Sequence, residues 1–353
     1  MDIKEYKMCD IISFKTGIDK NNINSFNSIN SLPWIKLGNI NEHNVNYDSC
    51  EYLSDTKNIV IKGDILLVWS CDIGKSIIIN DKSLFSTAFY KLVPKKDNIY
   101  LNKYIHYFFI KNKKEIGSLG NGSVLKKANM KILGNFILKL PNISVQQSII
   151  DIIEPFEILV ESVLKKIRIN LKITELIINN FYSKNGLFKE NEIEFFKGIN
   201  FKKEMISENN SDILFINVSA INDKPNKFIK LEYINMVNVF EGDVILSLDG
   251  NTGLVNNCLK GINGYGYKIA SDKIKNSQIY YSLLSKINQD IINQNSFGTT
   301  IQHASKSKDK IILLNFGENQ KILDIFFDLE IIYKKKAKLL KKIISSLIEI
   351  YTR

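Results

Sequence analysis

The chain has 353 residues, 44% hydrophobic and 10% aromatic, which is enough to bury a core in each of two or more domains and excludes intrinsic disorder. Its net charge of +11 at pH 7 favours an acidic partner such as nucleic acid, although the abundance of Asn, Ile and Lys lets part of that charge reflect nucleotide composition. Cys9, Cys50, Cys71 and Cys258 form no Cys-x-x-Cys pair, the N-terminus lacks a signal peptide's apolar run, and no apolar stretch approaches the ~20 residues that span a bilayer, so a soluble cytoplasmic protein without disulfides, structural zinc or membrane contact is expected.

In chain order, Trp34-Ile35-Lys36-Leu37 reads as a short strand ending in a polar turn. Gly63-Asp64 is a turn that feeds the apolar run Ile65 to Trp69, and the glycine-bearing loop Asp72-Ile73-Gly74-Lys75 follows. Leu101 to Lys113 has apolar spacing near 3.6 and would cover one face of a sheet. From Ile149 a seam runs through Ile153, Phe156, Val160, Val163, Ile167, Leu171, Thr174, Ile178 and Phe181 in steps of three and four, as in a coiled coil. Pro155 should break or restart that helix, leaving a continuous piece of about 30 residues.

The same series then recurs. Leu214 to Val218 reads as a strand, Gly242-Asp243 feeds Val244 to Leu248, the loop Asn251-Thr252-Gly253-Leu254 follows, and Ser277 to Gln289 reads as a helix. A second seam comprises Ile322, Leu323, Phe326, Leu329, Tyr333, Ala337, Leu340, Ile344, Leu347 and Tyr351. Asp243 stands 179 residues after Asp64, Gly298 stands 176 after Gly122, and Gln320 stands 173 after Gln147. The chain is therefore an internal repeat of a strand-rich domain followed by a long helix. Two matching seams most simply pair with each other, and antiparallel pairing would set the two domains at opposite ends of a rod; a helical hairpin inside one domain, or a seam for a partner, are the alternatives.

Catalytic patterns are weak. The five prolines are never adjacent, so the Asn/Asp-Pro-Pro-aromatic loop of an adenine amino-methyltransferase is missing. Gly74-Lys75-Ser76 imitates the end of a phosphate loop, but Trp69 stands where the earlier glycine belongs. Glu5-Tyr6-Lys7 matches the end of a nuclease carboxylate motif and equally a surface strand edge. His43, His106 and His303 are isolated in sequence. No catalytic residue, metal or cofactor is expected.

Trp34-Ile35-Lys36-Leu37-Gly38-Asn39-Ile40, Gly63-Asp64-Ile65-Leu66-Leu67, Gly122-Ser123, Leu140-Pro141, Gln146-Gln147-Ser148-Ile149-Ile150 and the heptads beyond them resemble the specificity subunits of type I restriction-modification systems across essentially the whole chain. The resemblance implies an α+β fold with two target-recognition domains, residues 1–143 and 185–317, joined by two long helices, 144–184 and 318–353, in an antiparallel coiled coil with an internal pseudo-twofold repeat. It also implies a non-catalytic subunit that reads a bipartite site in double-stranded DNA. The helices would act as a ruler and dock two adenine-specific methyltransferase subunits, alongside restriction/translocase subunits. The second repeat departs from the pattern, with Asn315-Phe316-Gly317-Glu318 in place of Leu-Pro and one glutamine instead of two.

DNA contacts would come from basic and amide side chains on loops at one side of each domain. In the first these are Lys36, Asn39, Asn41, Lys75, Asn121, Ser123, Lys126 and Lys127; in the second, Asn217, Asn222, Lys224, Asn251, Thr252, Thr299, Thr300, Gln302 and His303. Lys165, Lys166, Arg168, Lys334, Lys335 and Lys336 read as the solvated face of the helix pair, or as contacts to the phosphates of the gap. A recognition chain of a type IIB-like enzyme and a two-headed protein-binding scaffold are the alternative functions.

Overall fold

A computed structural model describes residues 3–20, 31–41, 44–54, 58–120, 127–181, 187–188, 193–209, 212–298 and 302–352. The chain divides into two compact units, residues 1–158 with 341–353, and residues 159–340.

In the first unit one sheet has the order Ile12–Thr16, Phe89–Pro94, Ile65–Val68, Ser76–Ile78, all antiparallel. A second has the order Glu51–Leu53, Leu32–Ile35, Ser83–Phe85, Ile59–Val60, with Leu32–Ile35 and Ser83–Phe85 parallel. Strand Ile65–Val68 is buried throughout because both of its faces are covered. Its side chains alternate: Ile65 and Leu67 pack with Tyr104, Phe108 and Ile116 of helix Asn102–Ser118, whereas Leu66 and Val68 pack with Ile35 and Phe85.

The second unit repeats the antiparallel sheet in the same order and keeps a parallel pair in the other sheet, where that pair lies at the edge instead of the centre. Glu194–Lys197, Tyr267–Ala270, Val244–Leu246 and Val255–Asn256 form one sheet; Ile206–Ser207, Phe228–Ile229, Ile213–Ile216 and Ile262–Asn263 form the other, whose last two strands are parallel. Val244 and Leu246 face the helical layer and Ile245 faces the opposite core with Ile216 and Val239. The fold is α+β and internally duplicated, as expected.

The Gly-Asp pairs explain why the repeat is legible. Gly63 and Gly242 have φ of +90° and +94°, the left-handed region where a side chain is strained. Each following carboxylate accepts from the amide three residues earlier, Asp64 from Ile61 and Asp243 from Phe240, both at 2.8 Å. Each also pairs with a lysine on the neighbouring strand, Lys91 at 2.5 Å and Lys268 at 2.7 Å. Asn102 and Asn276, at the start of the covering helices, donate to the carbonyls of Gly63 and Gly242 at 2.9 Å. One turn thus ties a strand, a lysine and a helix together, twice.

Gly17 and Gly198 mark another repeated constraint. A Cβ on Gly17 would lie 2.2 Å from the Phe85 carbonyl oxygen, and one on Gly198 would lie 2.4 Å from that of Gly264. Gly17→Ala is expected to lower stability by about 1–3 kcal/mol, the cost of overpacking against backbone, seen as a lower urea midpoint with unchanged slope. An unchanged midpoint would show that the chain crossing relaxes freely.

Each long helix contributes to both units. In the first, Ile149, Ile150 and Ile153 share a core with Ile344, Leu347 and Ile348; in the second, Ile177 and Ile178 share a core with Leu323, Phe326 and Phe327. Early residues of one helix therefore meet late residues of the other within each unit, as antiparallel pairing requires. The repeat extends to the roots of the helices, where Tyr107 donates to Glu157 and Tyr280 to Glu330, each at 2.9 Å.

Several expectations are corrected. Helix Ile143–Phe181 runs unbroken through Pro155; the loss of one backbone hydrogen bond, together with the ring clash, is offset by buried side chains on both sides of the proline, Ile149 and Ile153 before it and Val160 and Val163 after it. The seam is also less regular. Leu171 is 39% and Tyr351 38% exposed, while Phe327, Glu330 and Ile348 are buried, because contacts with the domain cores as well as the partner helix select the buried face. The expected helix Ser277 to Gln289 is two, Asn276–Leu284 and Lys286–Gln294, separated by extended Ser285. Asn288, buried there, donates to the Ser282 and Ile312 carbonyls, and so supplies the polar partners that a break exposes. Lys334 is no solvated residue: its side chain is 22% exposed and reaches Glu330 at 3.1 Å.

Candidate nucleic-acid interface

The loop after strand Val244–Leu246 and the segment before residues 305–310 meet in the second unit. Asp249–Gly250 pairs antiparallel with Gln302–His303, and the Phe297 and His303 backbones exchange hydrogen bonds of 3.1 and 2.9 Å. His303 is thereby fixed by pairings on both sides. Its Nδ1 lies 2.8 Å from Asp249 Oδ1 while the side chain stays 48% exposed. The Phe297 ring packs beside it at 6.1 Å between centroids, with Lys306 Nζ 5.8 Å from the Phe297 ring. Thr252 Oγ1 contacts Ser296 Oγ at 3.0 Å and Gln302 Oε1 at 3.5 Å. Thr252, Gln302 and His303 thus come together, with exposed Asn251 next to Thr252 in the same turn.

The same place in the first unit carries different chemistry. Ser70 bridges Lys127 in an antiparallel pairing, and Lys127 Nζ lies 5.8 Å from the ring of Trp69. That indole stacks on Tyr90 at 5.4 Å and 18°, and its Nε1 donates to the Thr87 carbonyl at 2.6 Å. Nearby, Lys75 is 16% exposed and 3.7 Å from Asp72, which also pairs with Lys113 at 2.7 Å. Asn121, Ser123, Lys126, Thr299 and Thr300 lie outside the described residues.

The remaining candidates lie elsewhere in their units. Lys36 pairs with Glu51, and hydrogen bonds from Lys20 and then Lys36 hold the Glu51 carboxyl down at about 2. Asn39 is buried: its Oδ1 accepts from the Lys36 amide at 2.8 Å and its Nδ2 donates to the Ser49 carbonyl at 2.7 Å. Asn217 caps the turn Val218–Ile221, accepting from the Ala220 amide at 2.9 Å and donating to Asn226 at 2.8 Å. Both amides are therefore occupied in shaping the turn after the parallel strand. Asn41 belongs to a two-residue ladder with Asn44. Asn222 and Lys224 sit on an exposed turn whose Asp223 pairs with Lys334 at 3.6 Å.

Trp69, Asp249, Ser296, Phe297 and Lys306 are not among the contacts expected from sequence. The repeat itself carried the signal: the 179-residue offset of the Gly-Asp pairs sets Asp249 opposite Ser70, and the 176-residue offset of the later glycines sets His303 opposite Lys127.

Among the described residues no group of three or more His, Cys, Asp or Glu side chains could hold a metal, and no helix is long and apolar enough to cross a membrane. His106 is a core residue, with Nδ1 2.9 Å from the Ser76 hydroxyl. Glu5 and Lys7 lie on strand Ile3–Lys7, paired with Ile137–Pro141, where Glu5 faces Lys139 at 3.4 Å.

Residues 1–174 match the type I restriction modification DNA specificity domain. This stretch belongs to that family. A curated type I specificity subunit, MjaVIII of Methanocaldococcus jannaschii, is 25% identical over 196 residues, covering 52% of this chain and 44% of its own length. The chain thus spans less than half of that relative. The crystal structure of a type I restriction-modification S subunit from M. genitalium aligns over 99% of this chain and 96% of its own, with 15% identity and a TM-score of 0.59, which establishes a shared fold. An HsdS subunit from Thermoanaerobacter tengcongensis aligns over the same share of both chains at 14% identity and a TM-score of 0.38. The resemblance read from the motifs is thus met by the specificity-domain family, by a curated specificity subunit and by the S-subunit fold, and the second unit repeats the strand order of the first unit's antiparallel sheet.

Proposed function

We propose that this chain is the non-catalytic DNA-recognition subunit of a type I restriction-modification complex, residues 1–143 and 185–317 each reading one part of a bipartite site. The observation that carries this is the duplication: one fold is built twice, and the same position holds Lys127 beside Trp69 in one copy and His303 beside Asp249 in the other. Two copies with identical tasks would have no reason to diverge there, whereas two half-sites of different sequence require it. The first domain would contact DNA through Lys127 and Lys75, with Asn121, Ser123 and Lys126 on the adjoining segment. The second would use Asn251, Thr252, Gln302 and His303, with Thr299 and Thr300. Lys36, Asn41, Asn222 and Lys224 would contact phosphates or flanking bases, and Asn39 and Asn217 would set the loops that carry them. Adenine-specific methyltransferase subunits, two per chain, and restriction/translocase subunits would supply the chemistry. Their docking surface would include apolar side chains that the helices leave outside their own cores: Ile325, Ile332 and Leu339, seven residues apart and 60%, 54% and 60% exposed.

The test is co-purification with the source's modification subunit, then genome-wide mapping of methylated adenine with and without this chain. A bipartite methylated sequence that disappears with the chain is expected. An active methyltransferase whose pattern is unchanged without it would overturn the proposal in favour of a protein-binding scaffold.

A further inference from the structure

His303 differs from the other candidate contacts in being held in a defined orientation. As a carboxylate, Asp249 can only accept, so the 2.8 Å contact requires the proton on His303 Nδ1. The ring is constrained along one edge by that contact and approached by Phe297 at 6.1 Å. The backbone ladder Asp249↔His303, with the hydrogen bonds between Phe297 and His303, fixes the Cα from which the ring projects. In the neutral ring with its proton on Nδ1, the half-exposed edge carries Nε2 with its lone pair, a single acceptor of fixed direction.

We infer that His303 is a base-reading side chain of the second recognition domain and that Asp249 is its positioning residue, the neutral ring accepting from an exocyclic amino group, adenine N6 or cytosine N4, in the major groove. This rests on the recognition role proposed above and adds to it a named residue pair, a tautomer and a class of base. A phosphate oxygen has no proton to offer a bare Nε2, so the contact suits a base amine and not the backbone. The first domain presents an ammonium, Lys127, at the corresponding place. That group can only donate and would suit guanine N7 or O6 or a phosphate. The two domains thus offer opposite hydrogen-bonding character from equivalent backbone positions.

The experiment uses the full chain in complex with its methyltransferase, presented with a random-sequence DNA library and read by methylation of each bound sequence. The wild type, Asp249→Asn, His303→Ala and the double variant are compared. Asparagine is isosteric with aspartate but can donate to Nδ1, which frees the ring to carry its proton on Nε2. Asp249→Asn is expected to cut discrimination at one base pair of one half-site by about tenfold, within the range of a single lost base contact. The other half-site and the melting temperature should not change. His303→Ala should relax the same base pair, and adding Asp249→Asn to it should change nothing further, because Asp249 acts through the ring. Uniformly weaker binding at unchanged sequence preference would overturn the inference and make His303 a phosphate contact. Preference unchanged in both single variants, with a bipartite site still read by the wild type, would overturn the inference alone. A wild-type complex without sequence preference would overturn it together with the recognition role.

Discussion

A Glu330→Ala chain is expected to lose about 3–5 kcal/mol of stability in its second unit, the usual cost of removing one partner from a buried charge pair. Glu330 is 3% exposed, and its Oε1 takes both the Tyr280 hydroxyl at 2.9 Å and the Lys334 ammonium at 3.1 Å. Burial is the largest single influence and works against the charge on Lys334, but Glu330, Cys258 and Asp223 together outweigh it and hold the lysine above its ordinary pKa. Burial first, and then the same carboxylate, push the Tyr280 phenol well above its ordinary value, so it remains a neutral donor. Alanine would strand a buried hydroxyl and leave the lysine, among the described ion pairs, with the more distant Asp223. Glu330→Gln keeps an acceptor for Tyr280 and should cost less. The sign of the pH dependence follows from the lysine. A raised folded pKa gives stability that is complete below the unfolded value and is lost as pH rises through the folded one. The deficit of Glu330→Ala in urea unfolding should therefore be level from roughly pH 6 to 9 and shrink only in stronger alkali. A deficit under about 1 kcal/mol would mean that the site relaxes around the loss.

The second large effect falls on the first unit. Gln146 is fully buried, and its Oε1 accepts from the Leu101 amide at 2.8 Å while its Nε2 donates to the carbonyls of Ile99 at 2.9 Å and Pro141 at 2.8 Å. One side chain thus joins the approach to helix Asn102–Ser118, the end of strand Ile137–Pro141 and the first turn of the long helix. Gln146→Ala leaves one amide and two carbonyls without that partner and opens a cavity, with an expected loss of about 2–4 kcal/mol. Hydrogen exchange would localise it: the amides of Leu101 to Ile105 should lose protection before those of strand Ile65–Val68. Equal loss across the unit would show that Gln146 is part of one cooperative core and not a local clasp.

Gln146 and Gln147 also show what a sequence can and cannot reveal. The pairing of Gln147 with Gln320 is sound: each donates to an aspartate four residues on, Asp151 at 2.7 Å and Asp324 at 2.6 Å. The buried clasp is its neighbour, which only helical phase distinguishes, and phase depends on where the helix starts. The Gly-Asp turns were legible because a positive φ and a side-chain-to-backbone bond demand particular residue types at fixed spacing. The unbroken helix at Pro155 was not, because the offsetting burial comes from residues distant in sequence. At the candidate interface, lysine and amide composition pointed to loops but could not separate Asn39 and Asn217, whose amides are occupied within the fold, from Gln302 and His303, which remain exposed. Asp249 was missed because its meaning comes from a partner 54 residues away.

The helices' divided allegiance also bears on the order of events during synthesis. The second unit is a contiguous stretch, 159–340, but the first is not complete without residues 341–353, which supply Ile344, Leu347 and Ile348 and a lysine-to-carbonyl contact, Lys111 to Glu349, spanning 238 positions. At roughly 5–20 residues per second, a ribosome needs about 10–35 s to travel from the end of the first stretch to that last segment. Over that interval the nascent first domain has an open apolar flank, while the second can close behind it. The usual vectorial sequence, in which the domain made first is finished first, is inverted in this chain, and the N-terminal half is the one that depends on being shielded from aggregation until translation has passed the final helix.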